Sequence, residues 1–351
     1  MRNTGIFFLT SAAIFMLVPA GCGKKTGTQE IDRAKLKMFS PLPEAVPAKT
    51  GEPASEAKIA LGRMLFHDPR LSANQQISCN SCHTLSNYGV DGKPTSDGFK
   101  GQRGDRNSPT VYNAAVHFVQ FWDGRAPDVE EQAKGPMLNP VEMALPDAKA
   151  AVAVLRSIPE YVEAFKAAFP GEKDPVTFEN AAAAIGAFER KLLTPSRWDK
   201  FLAGDDSALT EQEKAGLKTY MELGCQACHM GALLGGNLYQ KLGLMKPYPD
   251  SSDPGRFQVT KSEADRMVFK VPSLRNVEKT GPYFHNGKVA TLEQAVAEMA
   301  EYQLGRAVTR AEVESVVAFL KALTGELPAE YITAPALPPS TPQTPKPIAA
   351  D

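Results

Sequence analysis

Two short runs concentrate reactive side chains. They are Cys79-Asn-Ser-Cys82-His83 and Cys225-Gln-Ala-Cys228-His229. In each, two thiols and an imidazole fall within five consecutive residues. One turn of chain then presents all three to the edge of a single macrocycle. The thiols add to two vinyl groups, and the histidine ligates the central iron from one face. A zinc site or a redox dithiol is the other reading of a Cys-x-x-Cys pair. The adjacent histidine and the recurrence of the whole pattern point to two c-type haems, one on Cys79, Cys82 and His83, the other on Cys225, Cys228 and His229.

The opposite face of each iron decides what a haem does. Methionine there raises the potential and suits electron transfer, whereas an open position suits chemistry on a small molecule. Met230, Met245, Met267 and Met299 are candidates in the second half. His67, His117 and His285 are the remaining histidines.

Helices must position these groups. Apolar residues recur at three- and four-residue spacing in 54–66, 146–158, 159–169, 177–193, 291–302 and 310–323. Pro146, Pro159 and Pro175 fall at or just before starts, where proline is tolerated. Thr210 followed by Glu213 forms a capping-box pattern at the head of 209–224. Strand-like alternation is scarce. The order helix, haem signature, loops and closing helix occurs twice, with "IGAFERKLLTP" and "VVAFLKALTGE" as the closing segments. Such a repeat predicts an all-α chain of two cytochrome c-like domains, 52–195 and 196–328.

The ends read differently. Residues 1–21 resemble a secretory signal, with an apolar run too short for a bilayer span. "VPA" fits small-residue cleavage, and "PAGC" resembles a lipoprotein box with Cys22 as the lipidated residue. Cys22 is also the odd cysteine of five. A periplasmic location follows, with a lipid anchor at Cys22 as one of the two outcomes. Residues 22–51 read as a linker, and the Pro-rich 329–351 as a disordered tail. A net charge of −1 argues against a nucleic-acid partner.

Longer stretches carry a resemblance. "ISCNSCHTL", "RNSPTVYNAAVHFVQFWDGRAPDVEEQAKGPMLNPVEM" and "VPSLRNVEKTGPYFHNGKVATLEQAVAEMAEYQLG", with the two haem signatures, resemble the bacterial di-haem cytochrome c peroxidases across residues 52–328. The resemblance implies reduction of hydrogen peroxide to water, with electrons from a small cytochrome c or a blue-copper protein. It implies an N-terminal peroxidatic haem, a C-terminal electron-transfer haem and a homodimer. By the same resemblance, Met299 is the distal ligand of the second haem, and Trp122 lies between the haems. Glu142 is the acid over the peroxidatic haem, with Gln132 beside it. Asn107, Thr280 and Pro282 hold a calcium ion, the last two through backbone carbonyls. His117 and His285 fit as structural residues. A relative that matures the tryptophan cofactor of methylamine dehydrogenase carries tyrosine where Met299 stands, so Met299 favours peroxidase chemistry.

One position departs from the pattern. The family's usual gate is a histidine sixteen residues after the first proximal histidine, capping the resting peroxidatic iron. Here that position is Phe99, in "GKPTSDGFKGQRG". The expectation is a first iron that is five-coordinate or water-bound at rest, and activity without pre-reduction. Lys93, Lys100 and His67 are the alternative caps. The competing functions are a di-haem oxidase acting on a protein or organic substrate, and a non-enzymatic electron carrier or redox sensor.

Overall fold

The computed structural model describes residues 1–2, 31–48, 51 and 53–348; Cys22 and nearly all of the export signal lie outside these. Helix starts follow the capping side chains. Ser55 accepts from the Lys58 amide and opens α1 (Glu56–His67). The first haem signature forms the short turn α2 (Cys79–Cys82). Asp128 caps α3 (Val129–Leu138), Asp147 caps α4 (Ala148–Arg156), and Pro159 begins α5 (Pro159–Ala168). Thr177 caps α6 (Phe178–Glu189). After α7 (Arg197–Leu202), the capping box of Thr210 and Glu213 opens α8 (Glu211–Leu223). Then come α9 (Phe257–Thr260), α10 (Leu292–Glu298), α11 (Arg310–Lys321) and α12 (Ala329–Ile332). The described chain is rich in helix, and its sheet is one antiparallel ribbon of β1 (Tyr239–Lys241) and β2 (Val268–Lys270).

Two buried clusters hold these elements. One gathers residues from Leu61 to Leu192. The other gathers Leu36, Phe39 and residues from Trp198 to Leu323. Each is built on a close helix crossing that needs glycine. A Cβ on Gly62 of α1 would stand 1.8 Å from the Ala184 carbonyl oxygen of α6, and one on Gly216 of α8 would stand 2.0 Å from the Ser315 carbonyl oxygen of α11. Only hydrogen fits at those contacts. The sequence repeat thus has a packing counterpart, in which the helix before each haem signature crosses the closing helix at a glycine.

The halves meet at a buried hydroxyl. Asn113 and Asn276 both have left-handed backbone, and their side-chain amides both donate to Thr194 Oγ1, at 2.8 and 2.9 Å. Thr194 is fully buried.

The ends follow a course the composition does not suggest. Phe39, in the segment read as a linker, is buried edge-on against Trp198 at 5.4 Å. Residues 333–348, expected to be disordered, run along the N-terminal half. Arg70 donates to Pro338 O, Thr341 Oγ1 to Ser157 O, Gln75 to Pro345 O, and the Ile348 amide to Ala73 O. Apolar content misjudges this segment because main-chain carbonyls, proline's included, supply most of its attachment.

Candidate active site

The first haem signature opens onto a cavity between α2, α3, α6 and two loops. Cys79, Cys82 and His83 line one side. Gln132 from α3, Glu142, Glu189 from α6, and Ser96, Asp97, Gly98 and Arg106 complete much of the rest. Gln132 and Glu142, singled out by resemblance, therefore share one enclosure with the first signature.

The thiols and imidazoles fit a covalently held haem. All four signature cysteines are free thiols. Burial pushes the Cys79 thiol far up, pushes Cys82 up, and pushes Cys225 up to about 11. A redox dithiol or thiolate metal site needs the opposite shift. Neutral thiols in an apolar edge suit thioether formation. Each histidine keeps Nδ1 against a backbone carbonyl, His83 at 3.3 Å from Gly89 O and His229 at 3.0 Å from Leu234 O. Such a bond holds the ring and leaves Nε2 as the ligating nitrogen. Burial lowers both imidazoles toward the neutral form an iron requires.

Glu142 is held by its own turn. Asn139 Nδ2 donates to Glu142 Oε1 at 2.6 Å. Burial raises the Glu142 carboxyl, opposed by the Asn139 bond and by Arg125. A raised carboxyl inside a cavity is the pattern of a proton-transfer group. The Phe99 amide donates to the Glu142 carbonyl at 2.8 Å. A Cβ on Gly98 would stand 1.9 Å from Val141 O, so the loop lies hard against this turn. The cavity wall takes Ser96, Asp97 and Gly98 from the loop but not Phe99, which is half-buried beside it. None of Lys93, Lys100 and His67 lines the cavity either. Lys93 pairs with Asp97 at 2.7 Å, and Lys100 lies over the Phe99 ring.

Trp122 stands between the halves. Its Nε1 donates to Asn107 O at 2.9 Å, and its carbonyl accepts from the Lys270 amide at 2.7 Å. Its ring meets His285 edge-on at 6.5 Å, and His285 stacks on Phe269 at 4.4 Å. The Asn107 amide donates to His285 O at 2.7 Å, which brings Asn107 to the turn that carries Thr280 and Pro282. Asn107 Nδ2 donates to Lys93 O, so Oδ1 is the oxygen it has to offer a hard cation. Among the described residues no group of three or more His, Cys, Asp or Glu forms a metal site. A site of neutral oxygens is the kind these residues could build.

In the second half, Met299 follows α10 as the first residue of a π-turn, Met299–Gln303. Single π-turns re-aim a side chain and recur at functional sites. Met245 is 64% exposed, which suits it poorly to a buried ligand role, and Met267 is buried.

Two buried groups were not legible in the residue pattern. Lys270 is buried with Nζ 2.7 Å from His117 Nδ1, and burial lowers it to about 7. Nothing local marks it. Glu189 sits on the buried side of α6, one turn from Ile185, and that spacing inside an apolar stripe was the available signal.

The helical frame and the signature-lined cavity define a di-haem protein of the cytochrome c peroxidase type, and the comparisons agree. Residues 56–207 match the family model described as di-haem cytochrome c peroxidase. The chain is 50% identical over 317 residues to the cytochrome c551 peroxidase of Pseudomonas aeruginosa, covering 88% of this chain and 90% of that protein. It is 49% identical over 303 residues to the cytochrome c551 peroxidase of Nitrosomonas europaea, covering 86% and 89%. Among solved structures, it is similar to a MauG-like protein associated with microbial copper homeostasis, with a TM-score of 0.75, 30% identity, and coverage of 84% and 98%. This chain belongs to the di-haem cytochrome c peroxidase family, oxidoreductases that act on peroxide.

Proposed function

We propose that this chain reduces hydrogen peroxide to two waters, using two protons and two electrons from a small periplasmic cytochrome c or blue-copper protein. The observation that carries this reading is the shared cavity of Cys79, Cys82, His83, Gln132 and Glu142. Cys79 and Cys82 would attach the first haem and His83 would ligate it; Cys225, Cys228 and His229 would do the same for the second, with Met299 as a further ligand. Haem iron supplies a site where the O–O bond is broken.

The chain's own residues supply the proton handling. Glu142 takes a proton from the peroxide oxygen nearer the iron and returns it to the departing oxygen. Asn139 holds Oε1, which leaves Oε2 to face the substrate. Gln132 offers an amide to orient the peroxide. Trp122, bonded to Asn107 and packed on His285, provides an aromatic route between the halves. Asn107 Oδ1 with the Thr280 and Pro282 carbonyls would hold calcium next to that route. Phe99 offers no ligand atom, so an iron held by His83 would be left open to substrate and turnover would need no prior reduction. The working form is an exported homodimer, with Cys22 as its anchor if the lipoprotein ending is used.

Steady-state peroxide consumption by reduced cytochrome c tests the reading. Rapid turnover that Glu142→Gln slows by orders of magnitude is expected. Slow turnover indifferent to Glu142 would leave an electron carrier, and turnover only with an added organic or protein substrate would leave an oxidase.

A further inference from the structure

Along α6, two residues one turn apart reach the cavity of the first signature, Ile185 and Glu189. Glu189 is 4% exposed, on a helix whose other buried positions are alanine, glycine, isoleucine and phenylalanine. Placing a carboxyl there costs several kcal/mol unless it is neutral or faces a positive charge. The neighbouring cation, Arg190, draws the Glu189 carboxyl down through space but gives it no hydrogen bond. Arg190 donates to both carboxylate oxygens of Glu130, at 2.7 and 2.8 Å. The cavity's own cation is taken too, because Arg106 pairs with Asp123 and Asp253, each at 2.6 Å. Among the described residues the Glu189 carboxyl has no hydrogen-bond donor of its own. An oxidised haem held in the cavity would supply a positive charge that is not already committed to another carboxylate.

We propose that Glu189 is a redox-linked proton site of this cavity, releasing its proton when the haem there is oxidised and binding one when it is reduced. The inference rests on the haem assignment made above. One electron enters from the donor protein and one proton enters from solvent onto a Glu189 carboxylate oxygen; oxidation reverses both, and no other bond changes. The cavity's net charge then stays level through the cycle. Glu142 remains free to move the substrate's proton.

The surroundings agree in direction. Burial, and then Glu130, push Glu189 up to about 8. A positive charge in the cavity draws that value down, so the acid titrates between its two redox-linked values. The groups that face it are Glu130 from α3, Arg190 from its own helix and Cys79 from α2. Glu142, Asp97, Arg106 and His83 are the cavity's other ionisable residues. On the α1 side, Glu56 pairs with Lys191 at the surface.

The test is a spectroelectrochemical titration of the N-terminal haem in the holoprotein at a series of pH values from about 8 downward. The reduction equilibrium of the natural protein is expected to shift by up to about tenfold per pH unit. E189Q should flatten that slope, and E142Q should keep it. A haem-loaded E189Q that titrates like the natural protein overturns the proposal, as does a slope that E142Q alone removes. A mature protein with no haem on Cys79 and Cys82 sinks the haem assignment instead. If E189Q does not accumulate with haem, E189D decides: a displaced pH window supports the proposal, and an unmoved one overturns it.

Discussion

The Phe99 amide donates to the Glu142 carbonyl at 2.8 Å, so the loop residue proposed to stand where the family has its gate is tied to the turn that carries the proposed acid. The loop's place is thereby set by backbone, while the Phe99 side chain carries no donor atom for a metal. Electron paramagnetic resonance of the fully oxidised protein should show a high-spin ferric signal from the N-terminal haem, with peroxide turnover starting without a reducing pulse. Low-spin, bis-nitrogen signals from both irons would sink this.

Glu142→Gln keeps the shape of the side chain and removes its basicity. A fall in kcat/KM for peroxide of roughly 10²- to 10⁴-fold is expected. Burial raises this carboxyl, and the proposed proton transfer uses its carboxylate form. Activity should therefore fall as pH drops through the raised value and hold above it. The acidic limb should be missing from the residual activity of the variant, which a pH series of initial rates would show.

Trp122→Phe removes one hydrogen bond, to Asn107 O, and keeps an aromatic ring. It should cost about 1 kcal/mol of stability. Trp122→Ala removes the ring from between His285 and the N-terminal half and should slow electron transfer between the haems far more than the phenylalanine variant. Stopped-flow spectra after a peroxide pulse would compare the two; equal rates would remove Trp122 from the route.

Met299→His should lower the potential of the C-terminal haem, because a second imidazole stabilises the ferric state more than a thioether does. The thioether-to-iron absorption should vanish in the same spectra. An unchanged potential and spectrum would send the ligand search to Met230 or Met267.

Truncation after Ala334 deletes the bonds that Arg70, Gln75 and Ser157 donate to the terminal strap and the one that Ala73 O accepts from the Ile348 amide. At roughly 0.5–1.5 kcal/mol per hydrogen bond, a loss of a few kcal/mol is expected. The Ala73 amide also donates to Met143 O at 2.7 Å, next to Glu142, so the loss should reach peroxide turnover as well as the melting temperature. A full-activity truncate with an unchanged melting temperature would make the strap dispensable.

What could be read from the residues alone was local. Capping at Thr210 and Glu213, the apolar spacing of 177–193 and the two haem signatures each depend on neighbours within a few positions. Helix starts were therefore legible, as were the residues that could attach haem, and the cavity positions of Gln132 and Glu142 followed from resemblance to a known frame. The tertiary structure decided whatever depends on segments far apart in sequence. It placed Phe39 against Trp198 and laid 333–348 across Arg70 and Ala73. It also put Lys270 beside His117 and left Glu189 without a hydrogen-bonded counter-charge, because Arg190 gives its hydrogen bonds to Glu130. Burial and pairing set the charge state of such groups, and both are properties of the packed neighbourhood. The order of residues specifies which atoms are present for the chemistry; which of them carry a proton is settled when distant segments close around them.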